Sequence, residues 1–395
     1  AGAQVQRRQQ RRGRRTLDAA RRGAADGQPV FLPIEDQLKS GTYLIFDDAC
    51  GTGGMLTVAE ETLAAIGQRR GPQIAARLYG QEINPETYAI CKADMLIKGE
   101  GENADHIVGG AEWSTLSHDA FPGQEFDFML ANPPYGKSWK KDLEAMGGKD
   151  GMRDPRFKVM HAGEELSLVT RSSDGQMLFL VNMASKMNHA SALGGRIAEV
   201  HNGSSLFTGD AGQGESNIRR WLIENDWLEA IVALPLNLFY NTGIATYVWL
   251  LSNRKPAHRQ GRVQLIDASQ WFKPLRKNLG KKNCELSAQD IERISRTDDL
   301  GASASVTQAD SRVSAPQRSC RLNTPRRISS STCSAASVGA APPRSSTPSS
   351  MFNSNANSVR LALETRSRSR SATANLACKV PCLPRGSRFR MFCGQ

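Results

Sequence analysis

The sequence has no run of apolar residues near the ~18 needed for a transmembrane helix, and no apolar segment near its start. The expectation is therefore a soluble cytoplasmic protein with no membrane partner and no leader. Metal-ligand spacing is also lacking. The closest of the eight cysteines are Cys378 and Cys382, and no histidine follows His258, so no metal site is expected. Aromatic residues are missing from residues 1–30, and the last 95 residues contain neither Trp nor Tyr. Without such side chains neither end can contribute much to a packed core.

The net charge of +12 is carried by those same ends. Residues 1–30 hold eight Arg against two Asp, and residues 301–395 hold thirteen Arg and one Lys against two acids, which leaves residues 31–300 at −6. The basic excess is thus not a property of the middle of the chain. The carboxyl-terminal 95 residues also carry twenty Ser and five of the eight Cys, with no hydrophobic period. Three segments are expected: a basic one over 1–30, a catalytic domain over 31–296, and a Ser/Arg-rich one over 297–395. The terminal segments read as disordered, or as text translated out of frame. Restoring one nucleotide near codon 297 should then reveal a helical continuation.

Between the ends the texture is that of an α/β protein. Tyr43–Phe46 is a short apolar run, followed by Asp47-Asp48-Ala49-Cys50-Gly51-Thr52-Gly53-Gly54 and then apolar residues at helical spacing. Leu78–Glu82 repeats the strand, and Pro85 opens a helix that ends near Gly99. Further strands are expected near His106–Val108, over Phe126–Ala131, Arg196–Val200, Leu228–Leu234, Thr246–Leu251 and Val263–Ile266. Helices are expected from Asp174 (as a cap) to His189, over Asn217–Glu224, and over Ala288–Ile294. The alternation predicts a doubly wound, mostly parallel sheet with right-handed crossovers. The short link between Leu234 and Thr246 predicts an antiparallel pair, giving a terminal antiparallel strand. Gly136–Ser173, with Lys137, Lys140, Lys141, Lys149, Arg153, Arg156 and Lys158, reads as a long basic loop.

Two stretches carry chemistry. The glycine turn at 51–54 lacks the sixth-position glycine of a dinucleotide fingerprint and the Gly-Lys-Ser/Thr of a phosphate loop. Glu82, at the end of the next strand, sits where an acid accepts hydrogen bonds from both ribose hydroxyls of an adenosine ligand. The second stretch is Asn132-Pro133-Pro134-Tyr135, which ends a hydrophobic strand. Its prolines allow neither strand nor helix to continue, so an amide and an aromatic ring are held at fixed angles on the sheet edge where ligands bind. This corner reads as a methyl-acceptor pocket for an exocyclic or amide nitrogen.

These residues resemble a known family. Asp47-x-Ala-Cys-Gly-Thr-Gly-Gly-Met-Leu, Glu82-Ile83-Asn84-Pro85 and Asn132-Pro133-Pro134-Tyr135 are similar to the modification (M) subunits of type I restriction–modification systems. So are the stretch Asn202–Asp210 with Gly214–Ser216, and Leu234–Thr246 containing Leu238-Phe239-Tyr240-Asn241-Thr242-Gly243. The resemblance implies an S-adenosylmethionine-dependent DNA adenine-N6 methyltransferase fold and activity. It further implies double-stranded DNA as substrate, with specificity (S) and restriction (R) subunits as partners. Carried over residue by residue, Asp47, Cys50, Gly51, Thr52, Gly53 and Gly54 hold the donor and Glu82 takes its ribose. Asp119 stands in for the acid that in the family often meets the donor's adenine. Asn132, Pro133, Pro134 and Tyr135 form the catalytic corner, and Phe239 is the aromatic that packs on the extruded base. An aromatic-Thr-Pro segment found upstream of the glycine turn in the family has no match in residues 1–30. Two other readings stand beside this one. The chain is a non-catalytic or decayed relative that binds donor or partner only, or it is a glutamine-amide methyltransferase, a class that shares the Asn-Pro-Pro-Tyr corner.

Overall fold

The computed structural model describes residues 28–98, 101–239 and 243–296, and the backbone of 306–310. The first half holds α1 (Gln28–Phe31), a 3-10 turn (Leu32–Gln37), β1 (Gly41–Asp47), α2 (Gly54–Arg70), β2 (Ile74–Glu82), α3 (Pro85–Ile97), α4 (Gly101–Asp105), β3 (Ile107–Gly109) and β4 (Phe128–Ala131). Next come α5 (Lys140–Ala145), α6 (Gly148–Gly151), the hairpin β5 (Lys158–His161) and β6 (Glu164–Ser167), α7 (Gln176–Ala184), β7 (Arg196–Asn202) and α8 (Gly214–Glu224). The remainder is β8 (Leu228–Ala233), β9 (Thr246–Ser252), β10 (Arg262–Asp267), the hairpin β11 (Lys273–Leu279) and β12 (Lys282–Glu285), α9 (Ala288–Ser295) and β13 (Val306–Asp310).

Nine strands form one sheet in the order β13-β10-β8-β9-β7-β4-β1-β2-β3. Neighbours run parallel except β9, antiparallel to both β7 and β8, and β13, antiparallel to β10. The expected antiparallel pair is present, with Ile231 opposite Trp249. Its second strand, β9, lies inside the sheet and brings β8 back parallel to β7. The strand order reverses at β1, which has β2 on one side and β4 on the other. Such a switch point opens a crevice at the carboxyl ends of the strands.

Both faces are covered, which is why the strands read as apolar runs rather than alternating ones. Ile45, Phe128, Leu130, Val200 and Val232 pack under Phe31, Leu56, Leu63, Met95 and Ile294, from α1, α2, α3 and α9. Phe46, Met129, Ala131, Ile197 and Trp249 pack on the other face beneath α7 and α8. Helix ends follow local chemistry. Asn84 caps α3 by accepting from the backbone N–H of Glu86 and Thr87, with Pro85 in the first turn, an arrangement worth about 1 kcal/mol. Ser287 and Asp290 form a reciprocal capping box on α9. No helix among the described residues is long and apolar enough to cross a membrane.

Several expectations change. Phe126 lies outside β4, in an isolated bridge with Met187, and the backbone N–H of Phe126 and Asn188 bond the carbonyls of Lys186 and Phe126. A turn at Ser185–Lys186 leads into that bridge, so α7 stops at Ala184 instead of reaching His189. The cap position of α7 is Gly175; Asp174 stands one residue earlier, its Oδ1 accepting from Gln176 N at 3.2 Å. Gly136–Ser173 contains two short helices and the β5–β6 hairpin rather than a plain loop. Arg156 is buried there and serves as an internal strut. Finally, β13 lies within the segment set apart after residue 296 and adds a strand to the sheet. Most of residues 1–30 and 297–395, and Tyr240–Thr242 of the family-like segment, lie outside the described residues.

Candidate active site

The register sets Asp47 beside Gly80, Phe46 beside Met129, and Ala131 beside Glu199. The carboxyl ends of β2, β1, β4 and β7 therefore share one edge, with the glycine turn leaving β1 and the Asn-Pro-Pro-Tyr corner leaving its neighbour β4.

The turn is built on positive φ. Gly51 has φ +54° and Gly53 has φ +78°, a region that costs little only for glycine. A Cβ on Gly53 would also lie 2.7 Å from Cys91 Sγ, so this position is glycine for a second reason. Asp47 is buried, and its Oδ1 accepts from Ala49 N at 3.0 Å, closing the entry to the turn. Burial pushes its carboxyl well above the usual range. Glu82, half-buried at the end of β2, is oriented by two backbone donors. Its Oε2 accepts from Gly51 N at 2.7 Å and its Oε1 from Asn84 N at 2.8 Å. Each oxygen keeps a lone pair for a further donor. Thr52 and Gly54 are half-buried around the turn.

On the other side, Asn132 is exposed, Pro133 buried, Pro134 exposed and Tyr135 half-buried. The exit from the corner is fixed by Gly136, at φ +67°, whose N–H donates to Asp174 Oδ1 at 3.1 Å. Asp174 belongs to a buried chain of polar groups. Gln176 Nε2 lies 2.8 Å from Asp174 Oδ2, 2.9 Å from Asn202 Oδ1 and 2.8 Å from Ser204 Oγ. Gln176 Oε1 accepts from Asn202 N at 3.1 Å and faces His201 Nδ1 at 3.3 Å. Beyond it Glu199, wholly buried, places Oε1 3.3 Å from His201 Nε2. Burial holds His201 neutral, its pKa lowered to about 3, and pushes Glu199 well up, so the pair carries no net charge.

A second network braces the donor side. Asn182 Nδ2 donates to Asp48 Oδ2 at 2.9 Å, and Arg156 Nη1 donates to Asn182 Oδ1 at 2.9 Å. Arg156 also reaches the carbonyls of Thr115 and Leu116 and the carboxylate of Asp154. One guanidinium thus ties its own loop and the 115–116 segment to α7. Gln81, fully buried, orders the segment after β3 by donating to the carbonyls of Trp113 and His118 and accepting from Ala120 N.

Asp48 carries a testable electrostatic cost. Burial, opposed chiefly by the Asn182 hydrogen bond, raises its pKa to about 7. The unfolded chain gives up this proton from about pH 4. The stabilising contribution is therefore complete below that pH and is lost as pH rises through 7. Asp48→Asn keeps an acceptor for Asn182 and removes the titration. Its stability relative to the parent should rise between pH 5 and pH 8 by on the order of 2–4 kcal/mol. Denaturant melts of the two proteins at both pH values check this, and parallel pH profiles would refute it.

Three of the expected site residues have side chains engaged by their own neighbours. Cys50 is 5% exposed and packs against Cys91 and Gly80; hydrogen bonding to Cys91 and burial push its thiol well up. It seats the turn from below and does not present sulfur to a ligand. Asp119 is ion-paired, Oδ2 to Lys186 Nζ at 2.6 Å, and its Oδ1 accepts from Phe121 N. Its carboxylate thus holds the loop and, as at Glu82, each oxygen keeps a lone pair for a further donor. Phe239 packs with the α1–α2–α9 core rather than with the α7–α8 core that contains Ala131. Nothing in the local sequence signals Gln176, Asn182 or Gln81, because, Asp174 beside Gln176 apart, their side-chain partners are 25 or more residues away on other elements.

The family model for N-6 DNA methylases matches residues 32–310. The chain belongs to the N-6 DNA methylase family. Within that family it is similar to the methylase subunit of the type I restriction enzyme MjaIX of Methanocaldococcus jannaschii, 29% identical over 252 residues, covering 63% of this chain and 40% of that protein. The methylase subunit of HindI of Haemophilus influenzae is 28% identical over 238 residues, covering 60% and 47%. A solved type I restriction–modification methyltransferase subunit of Streptococcus thermophilus superposes with a TM-score of 0.50 at 25% identity, over 68% of this chain and 50% of that one. The chain thus spans less than half the length of these two curated relatives.

Proposed function

We propose that the chain transfers a methyl group from S-adenosylmethionine to the N6 amine of an adenine extruded from double-stranded DNA, as the catalytic core of a type I modification subunit. The observation that carries this reading is the adjacency of the Glu82-braced glycine turn on β1 and the Asn132–Tyr135 corner on β4. An S subunit that selects the DNA sequence and an R subunit belong to the same proposal.

The residues present fit the donor. Glu82 is a partly exposed carboxylate with lone pairs to spare for a diol, and a Cβ on Gly51 would come within 4.0 Å of its Oε2. Asp47, Gly51, Thr52, Gly53, Gly54 and Glu82 would hold S-adenosylmethionine, which supplies an electrophilic methyl on its sulfonium. The chain's own task is to make the amine a nucleophile. An adenine N6 lone pair is delocalised into the ring. The side-chain oxygen of Asn132 and the carbonyl of Pro133 each accept one N6 hydrogen, draw the nitrogen toward tetrahedral geometry and stabilise the positive charge that develops there. Pro134 keeps the bend rigid, and Tyr135 stacks on the base that has left the duplex.

The test is transfer of labelled methyl to duplex DNA, with and without an S subunit. Labelled N6-methyladenine is the expected product. Photocrosslinking to the donor without any transfer would identify a donor-binding relative, and neither signal would end the proposal. Glu82→Gln removes one of the two acceptors and the charge. Its donor affinity in calorimetric titration should fall about tenfold or more, the usual cost of a charged hydrogen bond. Undiminished affinity would take Glu82 out of the donor site.

A further inference from the structure

The β11–β12 ribbon has no part in the site described above. Residues 273–282, Lys-Pro-Leu-Arg-Lys-Asn-Leu-Gly-Lys-Lys, hold five cations and no acid, in a stretch of chain (31–300) whose net charge is −6. Lys273, Arg276, Lys277 and Lys281 are exposed. Among the described residues none of these four makes an ion pair. Other surface cations do: Lys140 with Glu144 at 3.6 Å, Lys158 with Glu165 at 3.7 Å and Arg220 with Glu224 at 3.0 Å. Clustered cations without counter-charges repel one another, and a polyanion relieves that repulsion.

The ribbon's place narrows the partner. It is fastened to the loop that leaves β8, through Asn283 N to Asn237 O at 3.2 Å and Cys284 Sγ to Leu236 O at 3.3 Å. Since β8 runs parallel to β7 and β4, that loop is on the same edge as Asn132. In the order β4-β7-β9-β8 three strand spacings separate them, roughly 14 Å. A seven-residue strand extends for roughly 23 Å, the length of about seven base-pair steps along a duplex axis.

We propose that the ribbon grips the phosphate backbone of duplex DNA beside the extruded base, through Arg276, Lys277 and Lys281. This rests on the DNA-methyltransferase reading above. The test compares the full chain with two triple variants of equal charge. One is Arg276→Gln, Lys277→Gln and Lys281→Gln. The other, at the opposite edge of the sheet, is Lys39→Gln, Arg69→Gln and Arg77→Gln. Binding of a fluorescent 30-base-pair duplex is followed across salt concentrations. The ribbon variant should bind tenfold or more weakly at 0.15 M salt. The slope of log K against log salt should fall in magnitude by about 2.7, near 0.9 for each phosphate no longer neutralised. The opposite-edge variant should stay within about twofold of the parent. Equal losses in both, no loss in either, or no duplex binding by the parent overturns the ribbon's role. Donor affinity and methyl transfer are measured on the same samples. Their absence in the parent refutes the methyltransferase reading, while the salt slopes still decide the ribbon.

Discussion

Asn132→Ala is expected to lower the rate of methyl transfer by about a thousandfold or more while leaving donor affinity within about twofold of the parent. The size follows from the kind of interaction removed. The amide oxygen acts where charge develops, and deleting one such preorganised group commonly costs 10²–10³ in rate. Here the loss is compounded, because the Pro133 carbonyl alone cannot draw both amine hydrogens out of the base plane. The fold should survive. Asn132 is exposed, it follows the last residue of β4, and the bend is held by two prolines and by the Gly136–Asp174 hydrogen bond. Asn132→Asp keeps an oxygen acceptor in the same place and should retain measurable turnover. Single-turnover methylation of duplex DNA beside calorimetric donor titration separates the effects. Alanine at 132 with near-normal turnover would remove the acceptor role from this corner, and parallel loss of donor binding would assign Asn132 to the turn instead.

Much of this site is legible in the sequence because its chemistry is local. Tyr43–Phe46 followed by Gly51-Thr52-Gly53-Gly54 announces a strand, a positive-φ turn and a helix within a dozen residues, and Asn132–Tyr135 declares its own stiffness through its prolines. Glu82 is legible for the same reason, one strand later at an equivalent position. What supports these residues is not local. Gly136 is held by Asp174, Asp174 by Gln176, and Gln176 by Asn202 and His201, across up to 38 residues of chain. No periodicity links such partners. Asp119 reads as an available charge because a sequence shows charge but not its counterpart, here Lys186, 67 residues away. Cys50 reads with its neighbours in the turn, yet only the packing of Cys91 and Gly80 tells that its side chain points down. The β11–β12 ribbon escapes because an exposed strand rich in Lys has no apolar alternation to betray it.

Those long-range supports make Gln176 the residue whose loss should do the most combined damage. Its side chain is 2% exposed and touches Asp174, His201, Asn202 and Ser204. Gln176→Met preserves length and volume while removing every polar atom. Asp174 then loses a donor to its carboxylate, and the Asn202 N–H loses its acceptor. At about 1–3 kcal/mol for each buried group left unsatisfied, the protein should lose about 3–5 kcal/mol of stability, or on the order of 10 °C in Tm. A second effect should accompany the first. With Asp174 free to move, the hydrogen bond that fixes Gly136 weakens, and turnover should fall about ten- to a hundredfold below the melting range with donor affinity unchanged. Gln176→Glu separates packing from charge. Beside Asp174 in a buried site the added carboxyl is driven toward its neutral form, so its folded pKa is raised. Stability is then retained near pH 5 and lost as pH rises toward 8. If Gln176→Met melts and turns over like the parent, the corner at Asn132 is held by its prolines alone, and the buried chain from Glu199 to Gly136 has no part in shaping it.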